Sequence, residues 1–221
     1  MNDHVVLRAF PVPIPARMRG LPVDRRGYPV PKFVEWIDGE PDFRIMNPEH
    51  LTKCYAFKRC WICGEPLGSR QAFVLGPMCC VNRISPEPPS HHECAKFAAQ
   101  VCPFLSMPQA KRPNRPMPKG SVKPAGEMLE HNPGVTALWV TKAYDVKRVG
   151  HGVLFEIGEP ERVEFFHKGR KATRAEIDAG INKGYPKLEA SARTQGSWAL
   201  RELGRQRARF ERMLDAMEHA A

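Results

Sequence analysis

The chain has 221 residues, 22 prolines, seven cysteines, a formal net charge of +10 and a pI near 9.5. This length allows one large domain or two small ones, and the charge suits a polyanionic partner such as nucleic acid. Residues 1–10 lack the apolar run of a signal peptide, and no stretch approaches the roughly 18 apolar residues of a membrane span. We therefore expect a cytoplasmic protein whose thiols stay reduced.

The first predicted elements follow a Pro-rich, basic N-terminal segment. Residues 31–46 contain two apolar stretches separated by Asp38-Gly39, the pattern of a β-hairpin with a tight turn. Asn47 then has the position of a helix N-cap, and Pro48 suits the first helical turn. The predicted helix leads directly into a cysteine motif, so we expect hairpin, helix and motif to pack as one unit.

Two pairs of metal-ligand residues come next. The first is a C-x2-C motif that ends in a glycine, typical of a zinc knuckle. The second pair is His91 and Cys94. Around it, Ser90 and Glu93 have the spacing of a capping box, which predicts a helix that starts at Ser90 and carries the pair on its first turn. A knuckle, a hairpin around residues 72–75 and this helix would form a treble clef. We predict a closed, structural Zn²⁺ site with the ligands Cys60, Cys63, His91 and Cys94.

The alternative interpretation is a set of buried thiols with no metal, because free cysteine is among the most buried residue types. Cys79 and Cys80 could replace one ligand or bind a second metal, but adjacent cysteines do not easily reach one tetrahedral ion together. Cys54 and Cys102 fall on apolar helical faces. We interpret these four cysteines as core or near-core thiols.

Residues 108–133 are basic and Pro-rich and lack any periodicity, which predicts an extended linker. Two interpretations of this linker stay open. It is either a solvated spacer or an arm that follows phosphates through Lys111, Arg112 and Arg115.

Beyond the linker, residues 135–144 are rich in β-forming residues. Residues 153–157 and 162–166 are two further strand-like stretches with a four-residue turn between them. We predict that these segments form a small antiparallel sheet.

The remaining residues predict helices. Thr173 and Glu176 have the spacing of a second capping box, and the helix that they begin is expected to end near Gly184. Pro186 can open another helix through Gln195.

The last predicted helix, residues 197–218, has an apolar face and a basic one. The basic face is either an ordinary solvated surface or a phosphate-contacting one, since guanidinium groups pair well with phosphate oxygens. It carries Arg201, Arg205, Arg209 and Arg212.

Catalytic motifs are scarce. The P-loop, α/β-hydrolase and dinucleotide-binding signatures are missing, and the H-x-E of zinc deaminases lacks its downstream P-C-x-x-C. The enzymatic alternative is an HNH-like, metal-dependent nuclease built on the treble clef. In it His92 would be the general base, and Asn82 or Glu93 would help to hold a divalent ion. Otherwise His92 is an exposed histidine at a helix start.

Several motifs carry a resemblance to a family. They are RGYPVPxFVxWxDGxPDFR at 26–44, CWxCGxxLG at 60–68, GPMCxxNR at 76–83, EPPSHxxCA at 87–95 and CPFL at 102–105. With these motifs, residues 17–110 resemble a group of proteins of bacteria and their phages and prophages to which no activity is assigned. The resemblance implies a phage or prophage setting and agrees with ligands at His91 and Cys94.

Together these features predict an α+β protein in three parts. Residues 1–107 would form the hairpin and treble-clef zinc module, 108–133 the linker, and 134–221 a small β-sheet and helical region. The expected function is non-enzymatic nucleic-acid binding, with the nuclease as one alternative. A protein-binding module or inhibitor of a host enzyme is the other.

Overall fold

The computed structural model describes residues 7–113, 116–117, 125, 131–150 and 152–219. Within these residues the strands β1 to β9 span Val34–Ile37, Glu40–Met46, Gln71–Leu75, Ile84–Ser85, Thr136–Thr141, Tyr144–Val149, Gly152–Ile157, Arg162–His167 and Arg170–Lys171. The helices α1 to α6 span Pro48–Phe57, Pro77–Asn82, His92–Val101, Pro103–Ser106, Arg174–Gln195 and Ser197–His219, and a 3₁₀ turn covers Ala16–Met18. Small antiparallel sheets and C-terminal helices confirm the predicted α+β class.

The N-terminal hairpin and the helix after it are confirmed. β1 and β2 pair antiparallel around Asp38 and Gly39, whose φ angles of 50° and 81° belong to a tight two-residue turn. The Asn47 side chain accepts a hydrogen bond from the His50 backbone N–H at 2.7 Å, and Pro48 is the first residue of α1. Local turn and cap chemistry therefore determines this segment.

One sheet joins strands from both sides of the predicted linker. Its antiparallel order is β3-β5-β8-β9, with β3 before residues 108–133 and the other three strands after them. All six residues of β5 are buried. Its alternate side chains enter two different apolar clusters, Ala137 and Trp139 on one face and Leu138 and Val140 on the other. A strand covered on both faces is central, and here both of its edges are paired.

The predicted pairing of residues 153–157 with 162–166 is wrong. β8 pairs with β5, whereas β7 pairs with β6 and β4 in a second, three-stranded sheet. The connection between β7 and β8 carries the chain from one sheet to the other. At its start, a Cβ on Gly158 would lie 2.5 Å from the Ala143 carbonyl oxygen, so the close approach requires glycine. The buried β5 is the better partner for β8 because that pairing covers apolar surface on both faces.

The helix after β9 begins as predicted but does not end where predicted. Thr173 and Glu176 form a complete capping box, and α5 then continues through Pro186 to Gln195 as one helix, where a break near Gly184 was expected. Ile177 lies before the proline and Ala192 after it, and both are buried in the same core cluster. Packing on both sides of Pro186 offsets the backbone hydrogen bond that proline cannot donate.

The helices pack on both faces of the four-stranded sheet. α6 buries Leu203, Phe210 and Leu214 in the same core as Trp139, as its apolar periodicity predicts. On the opposite face, α3 contributes small residues that let it approach β5 closely. No helix in the described ranges is long and apolar enough to cross a membrane.

Candidate functional site

Four side chains converge at the junction between the N-terminal unit and α3. Their ligand atoms all lie within 4.8 Å of one another, and all four residues are buried. No other group of three or more histidine, cysteine, aspartate or glutamate residues with metal-site geometry occurs in the part of the chain that the structure describes. The four are those that ligand spacing predicts, Cys60, Cys63, His91 and Cys94.

The first pair is positioned by a tight turn. The Gly64 N–H donates to the Cys60 carbonyl oxygen at 2.9 Å, and the Cys60 N–H donates to the Glu65 carbonyl oxygen at 2.8 Å. Gly64 has a φ of +80°, which favours glycine because other residues are strained there. The Cys63 N–H lies 3.4 Å from the Cys60 sulfur. The turn therefore directs both sulfurs to one side and supplies an N–H donor to one of them.

The second pair lies at the start of α3, but the predicted capping box is wrong. α3 begins at His92 with His91 as its N-cap residue. Ser90 instead exchanges two backbone hydrogen bonds with Ala72, at 2.8 and 2.9 Å, and is extended. Glu93 pairs with Arg17 at 3.1 Å. Strand pairing uses the Ser90 backbone, so the helix starts later than predicted.

The ring of His91 is oriented by hydrogen bonding. Its Nδ1 lies 3.3 Å from the Cys63 sulfur, and its Nε2 lies 2.9 Å from the Pro66 carbonyl oxygen. A carbonyl oxygen only accepts, so Nε2 carries the proton and Nδ1 presents its lone pair to the three sulfurs. Support of this kind behind a histidine ligand fixes its tautomer and orientation. No sequence signal marks Pro66 for this role.

The three sulfurs share their protons unequally. Hydrogen bonds from the Cys63 and Cys94 thiols lower the pKa of Cys60, and N–H donors such as that of His91, 3.4 Å away, favour the same thiolate. The hydrogen bond to Cys60 is also the main cause that raises the pKa of Cys63 to about 11, and it raises the pKa of Cys94. The cluster thus favours one thiolate flanked by two thiols, and a cation among the sulfurs would favour the ionised form of all three.

Apolar side chains enclose the cluster. Met18 and Leu21 from the N-terminal segment and Phe97 and Val101 from α3 form one buried group with the three cysteines. Next to them, the ring of Trp61 stacks between Phe33 at 4.8 Å and His50 at 5.5 Å. All four residues of the cluster are at most 8% exposed, so the cluster is closed to solvent.

The other cysteines lie outside this cluster. Cys54 and Cys80 are buried, and Cys79 and Cys102 are half-buried. Burial is the main cause that raises the pKa of each of these four thiols. These features suit inert thiols within or beside the core.

The three residues of the nuclease alternative have separate partners. His92 Nε2 lies 2.6 Å from the Glu164 carboxylate, which Lys96 and Arg162 also approach, at 3.5 and 3.0 Å. The Asn82 side chain accepts a hydrogen bond from the Ile84 N–H, and Glu93 pairs with Arg17. Each of the three groups is therefore engaged with a different partner.

The predicted basic face of α6 is exposed. Among its members, Arg205 pairs with Glu202 and Arg209 pairs with Glu159. Arg201 and Arg212 have no ion pair with any described residue. The four arginines of this face, which we call the arginine stripe, are Arg201, Arg205, Arg209 and Arg212.

Sequence reasoning missed Arg83, which extends the arginine stripe. Glu159 accepts two hydrogen bonds from Arg83, at 2.6 and 3.0 Å, in addition to its pairing with Arg209. Arg83 also stacks over the ring of Trp139 at 5.2 Å and has a left-handed backbone with φ of 55°. These constraints hold its guanidinium beside α6, and a single exposed carboxylate bridges the two arginines.

The predicted linker arginines and lysine are only partly described. Lys111 forms an isolated backbone bridge with His131. Arg112 donates to the Phe43 carbonyl oxygen at 3.3 Å and lies 4.6 Å from the ring of Phe104. Arg115 lies outside the described residues. Arg112 is thus packed against β2 and α4.

Comparison with known proteins returned no match to any family model, curated protein or solved structure.

Proposed function

We propose that the four-residue centre binds Zn²⁺ as a structural ion. Three sulfurs and one imidazole nitrogen are the donor set that zinc prefers, and bonds of about 2.3 Å put the ligands of a tetrahedral ion about 3.8 Å apart. The observed separations, all within 4.8 Å, suit this arrangement. Four protein ligands leave no open position for substrate, so the ion would stabilise the fold.

We also infer that the module is a treble clef with a long insertion. A treble clef has a knuckle, a hairpin and a helix whose first turn supplies the last ligands. Here the knuckle is at residues 60–64, and the reciprocal hydrogen bonds between Ala72 and Ser90 take the place of the hairpin immediately before α3. Residues 76–89, which carry α2 and β4, would be the insertion.

For the protein as a whole, we propose nucleic-acid binding through the arginine stripe. The observation that carries this proposal is the division of α6 into one face buried in the core and an opposite face with four exposed guanidinium groups. Each guanidinium can pair with phosphate oxygens through two parallel hydrogen bonds. The net charge of +10 supports the attraction of a polyanion. The motif resemblance suggests a role in phage or prophage replication or regulation.

The pairing of Arg209 and Arg83 with Glu159 supports the same proposal. A carboxylate accepts the bidentate hydrogen bonds that a phosphate would accept, so Glu159 occupies the position of an anion between two arginines. Arg201 and Arg212, without ion pairs among the described residues, need no carboxylate to leave before they bind phosphate.

The test is charge reversal on the stripe. Arg201→Glu, Arg205→Glu and Arg209→Glu together leave the buried face of α6 intact, so the melting temperature should change little. Affinity for nucleic acid should fall sharply. The slope of log affinity against log salt should drop by up to roughly 3, since each lost phosphate contact removes about 0.7–0.9. Fluorescence anisotropy with labelled oligonucleotides across a salt series measures both quantities.

A matched control separates the stripe from net charge. Arg19→Glu, Arg25→Glu and Lys53→Glu together change the charge equally at three exposed positions of the N-terminal half. This control should retain most of the wild-type affinity. Equal losses in both triple variants would mean that binding follows total charge and not the stripe. Neutralising Lys111 and Arg112 separately tests the linker.

The nuclease and inhibitor alternatives can be tested with the same protein samples. Metal-dependent cleavage of plasmid DNA that His92→Ala abolishes would favour the nuclease. If the wild-type protein binds no nucleic acid at low salt, the proposal fails. Capture of a host protein that survives nuclease treatment would then favour the inhibitor.

A further inference from the structure

The arginine stripe of α6 continues onto an exposed aromatic residue. Trp198, in the first turn of the helix, is 61% exposed. At about 100° per residue, Trp198 and the four arginines fall within about 80° of one another around the helix axis. The buried residues Leu203 and Phe210 lie more than about 100° away on the same projection. The indole therefore belongs to the basic face and not to the core.

Trp198, like the less exposed Trp36, has no side-chain stacking or hydrogen-bonding partner among the described residues, whereas the two other tryptophans are engaged by their neighbours. Trp61 is sandwiched between two rings. Trp139 is buried, donates from Nε1 to the Gly158 carbonyl oxygen at 3.0 Å and is covered by Arg83. A large aromatic side chain that is left open on a charged helix face suggests an external partner.

The backbone geometry keeps the Trp198 ring accessible. α6 begins at Ser197, so no earlier turn of this helix lies over the indole. The preceding residue, Gly196, has a φ of 107° and separates α5 from α6 at a sharp turn. From Trp198 the stripe extends along α6, with Arg201 about 4.5 Å and Arg212 about 21 Å further along the axis at 1.5 Å per residue.

We propose that the stripe binds single-stranded nucleic acid, with an unpaired base stacked on Trp198 and the phosphates along the arginines. This inference rests on the proposed function and specifies its ligand. In a duplex the faces of the bases are covered by their neighbours, so an indole on a helix surface cannot stack on them. In a single strand every base has an accessible face, and an aromatic platform beside a line of positive charges is the arrangement that binds it.

A protein partner is the main competitor, because tryptophan and arginine are also enriched at protein interfaces. The stripe favours nucleic acid because its four charges have one sign and lie along one helix face for about 16 Å, which suits a chain of several phosphates. Glu202 lies at the edge of this line and pairs with Arg205.

The experiment compares a single-stranded oligonucleotide of mixed sequence with a hairpin-free duplex of equal length by fluorescence anisotropy at low salt. The wild-type protein should bind the single strand more tightly. Trp198→Ala should weaken single-strand binding about 5- to 140-fold, which corresponds to the stacking of one base. Its binding to duplex should change less than about twofold, because phosphate contacts remain.

Two further variants make the result specific. Trp198→Leu, which keeps an apolar side chain, should lose affinity like Trp198→Ala, whereas Trp198→Phe should retain most of it because stacking needs an aromatic face. The matched control is Trp36→Ala, at a tryptophan that is 41% exposed on β1 of the hairpin, and it should bind like the wild type. Unchanged melting temperatures would show that all four variants fold.

The outcomes distinguish this inference from the proposal on which it rests. If duplex and single strand bind equally and Trp198→Ala has no effect, the single-strand inference is overturned while nucleic-acid binding by the stripe stands. Equal affinities of Trp198→Leu and Trp198→Phe would also overturn stacking. If the wild type binds neither oligonucleotide, the proposed function itself fails, and this inference fails with it.

Discussion

Removing one of the four proposed zinc ligands should lower the stability of the whole fold, and not only that of the residues around the site. Structural zinc supplies roughly 10–16 kcal/mol in small zinc-binding modules, and whole domains are stable by only about 5–15 kcal/mol. For a chain of this size, each kcal/mol shifts the melting temperature by about 2–4 °C. Loss of even 5 kcal/mol through Cys60→Ala should therefore lower the melting temperature by about 10–20 °C.

The structure explains why this effect should reach beyond the knuckle. On α3, Cys94 and Phe97 belong to the apolar cluster that contains the three cysteines, whereas Ala95 and Ala99 pack in the cluster on the four-stranded sheet. The same helix therefore serves both clusters. Loss of the ion should release its first turn and weaken its packing against β5.

The assay is thermal unfolding followed by circular dichroism, with the zinc content of each variant measured by elemental analysis. The wild type should contain about one zinc per chain, and Cys60→Ala should contain little. A strong zinc chelator added to the wild type should reproduce the lower melting temperature. Cys80→Ala is the matched control, because Cys80 is 1% exposed, lies in the core and is outside the metal centre. It should keep its zinc and lose only about 1 kcal/mol.

Two results would refute this reasoning. One is a chelated wild-type protein that melts cooperatively at its original temperature, which would mean that the buried thiols need no ion. The other is an equal zinc loss in Cys60→Ala and Cys80→Ala, which would mean that the four-residue cluster is not the site.

Three further changes have definite expected outcomes. His91→Ala should lose zinc and melt at least 5–10 °C lower because it removes a ligand, whereas His92→Ala should keep its zinc; equal zinc losses would contradict the assignment of His91. Glu159→Gln should raise nucleic-acid affinity about 2- to 5-fold, since an exposed ion pair with Arg209 contributes at most about 1 kcal/mol, and anisotropy showing weaker binding would exclude competition by this carboxylate. Pro186→Ala should stabilise α5 by about 1–3 kcal/mol, and a lower melting temperature would show that the proline is needed where it lies.

Segments governed by local chemistry were predictable from the sequence. Asp38-Gly39 determines the hairpin turn, Asn47 with Pro48 starts α1, and Thr173 starts α5, because each acts on backbone groups within a few residues. The division of α6 into an apolar and a basic face follows from helical periodicity alone.

The wrong predictions share a cause, which is competition from distant partners. Ser90 has the spacing from Glu93 that is typical of a helix cap, but its backbone forms hydrogen bonds with Ala72 instead. Pro186 has the sequence of a helix start, but α5 continues because buried residues on both sides of it pack in one core. β7 and β8 are close in sequence, but β8 pairs with the buried β5 because that pairing covers apolar surface on both faces.

C-x2-C and H-x2-C spacings predicted which four side chains would form the cluster, because residues so spaced bring donor atoms together within single turns of backbone. Long-range packing brings the two pairs together, places the Pro66 carbonyl behind His91 and sets Glu159 between Arg83 and Arg209, and no local spacing predicts these contacts. The physical reason is that short spacings depend on a few dihedral angles, whereas distant pairings depend on which surfaces bury the most apolar area together.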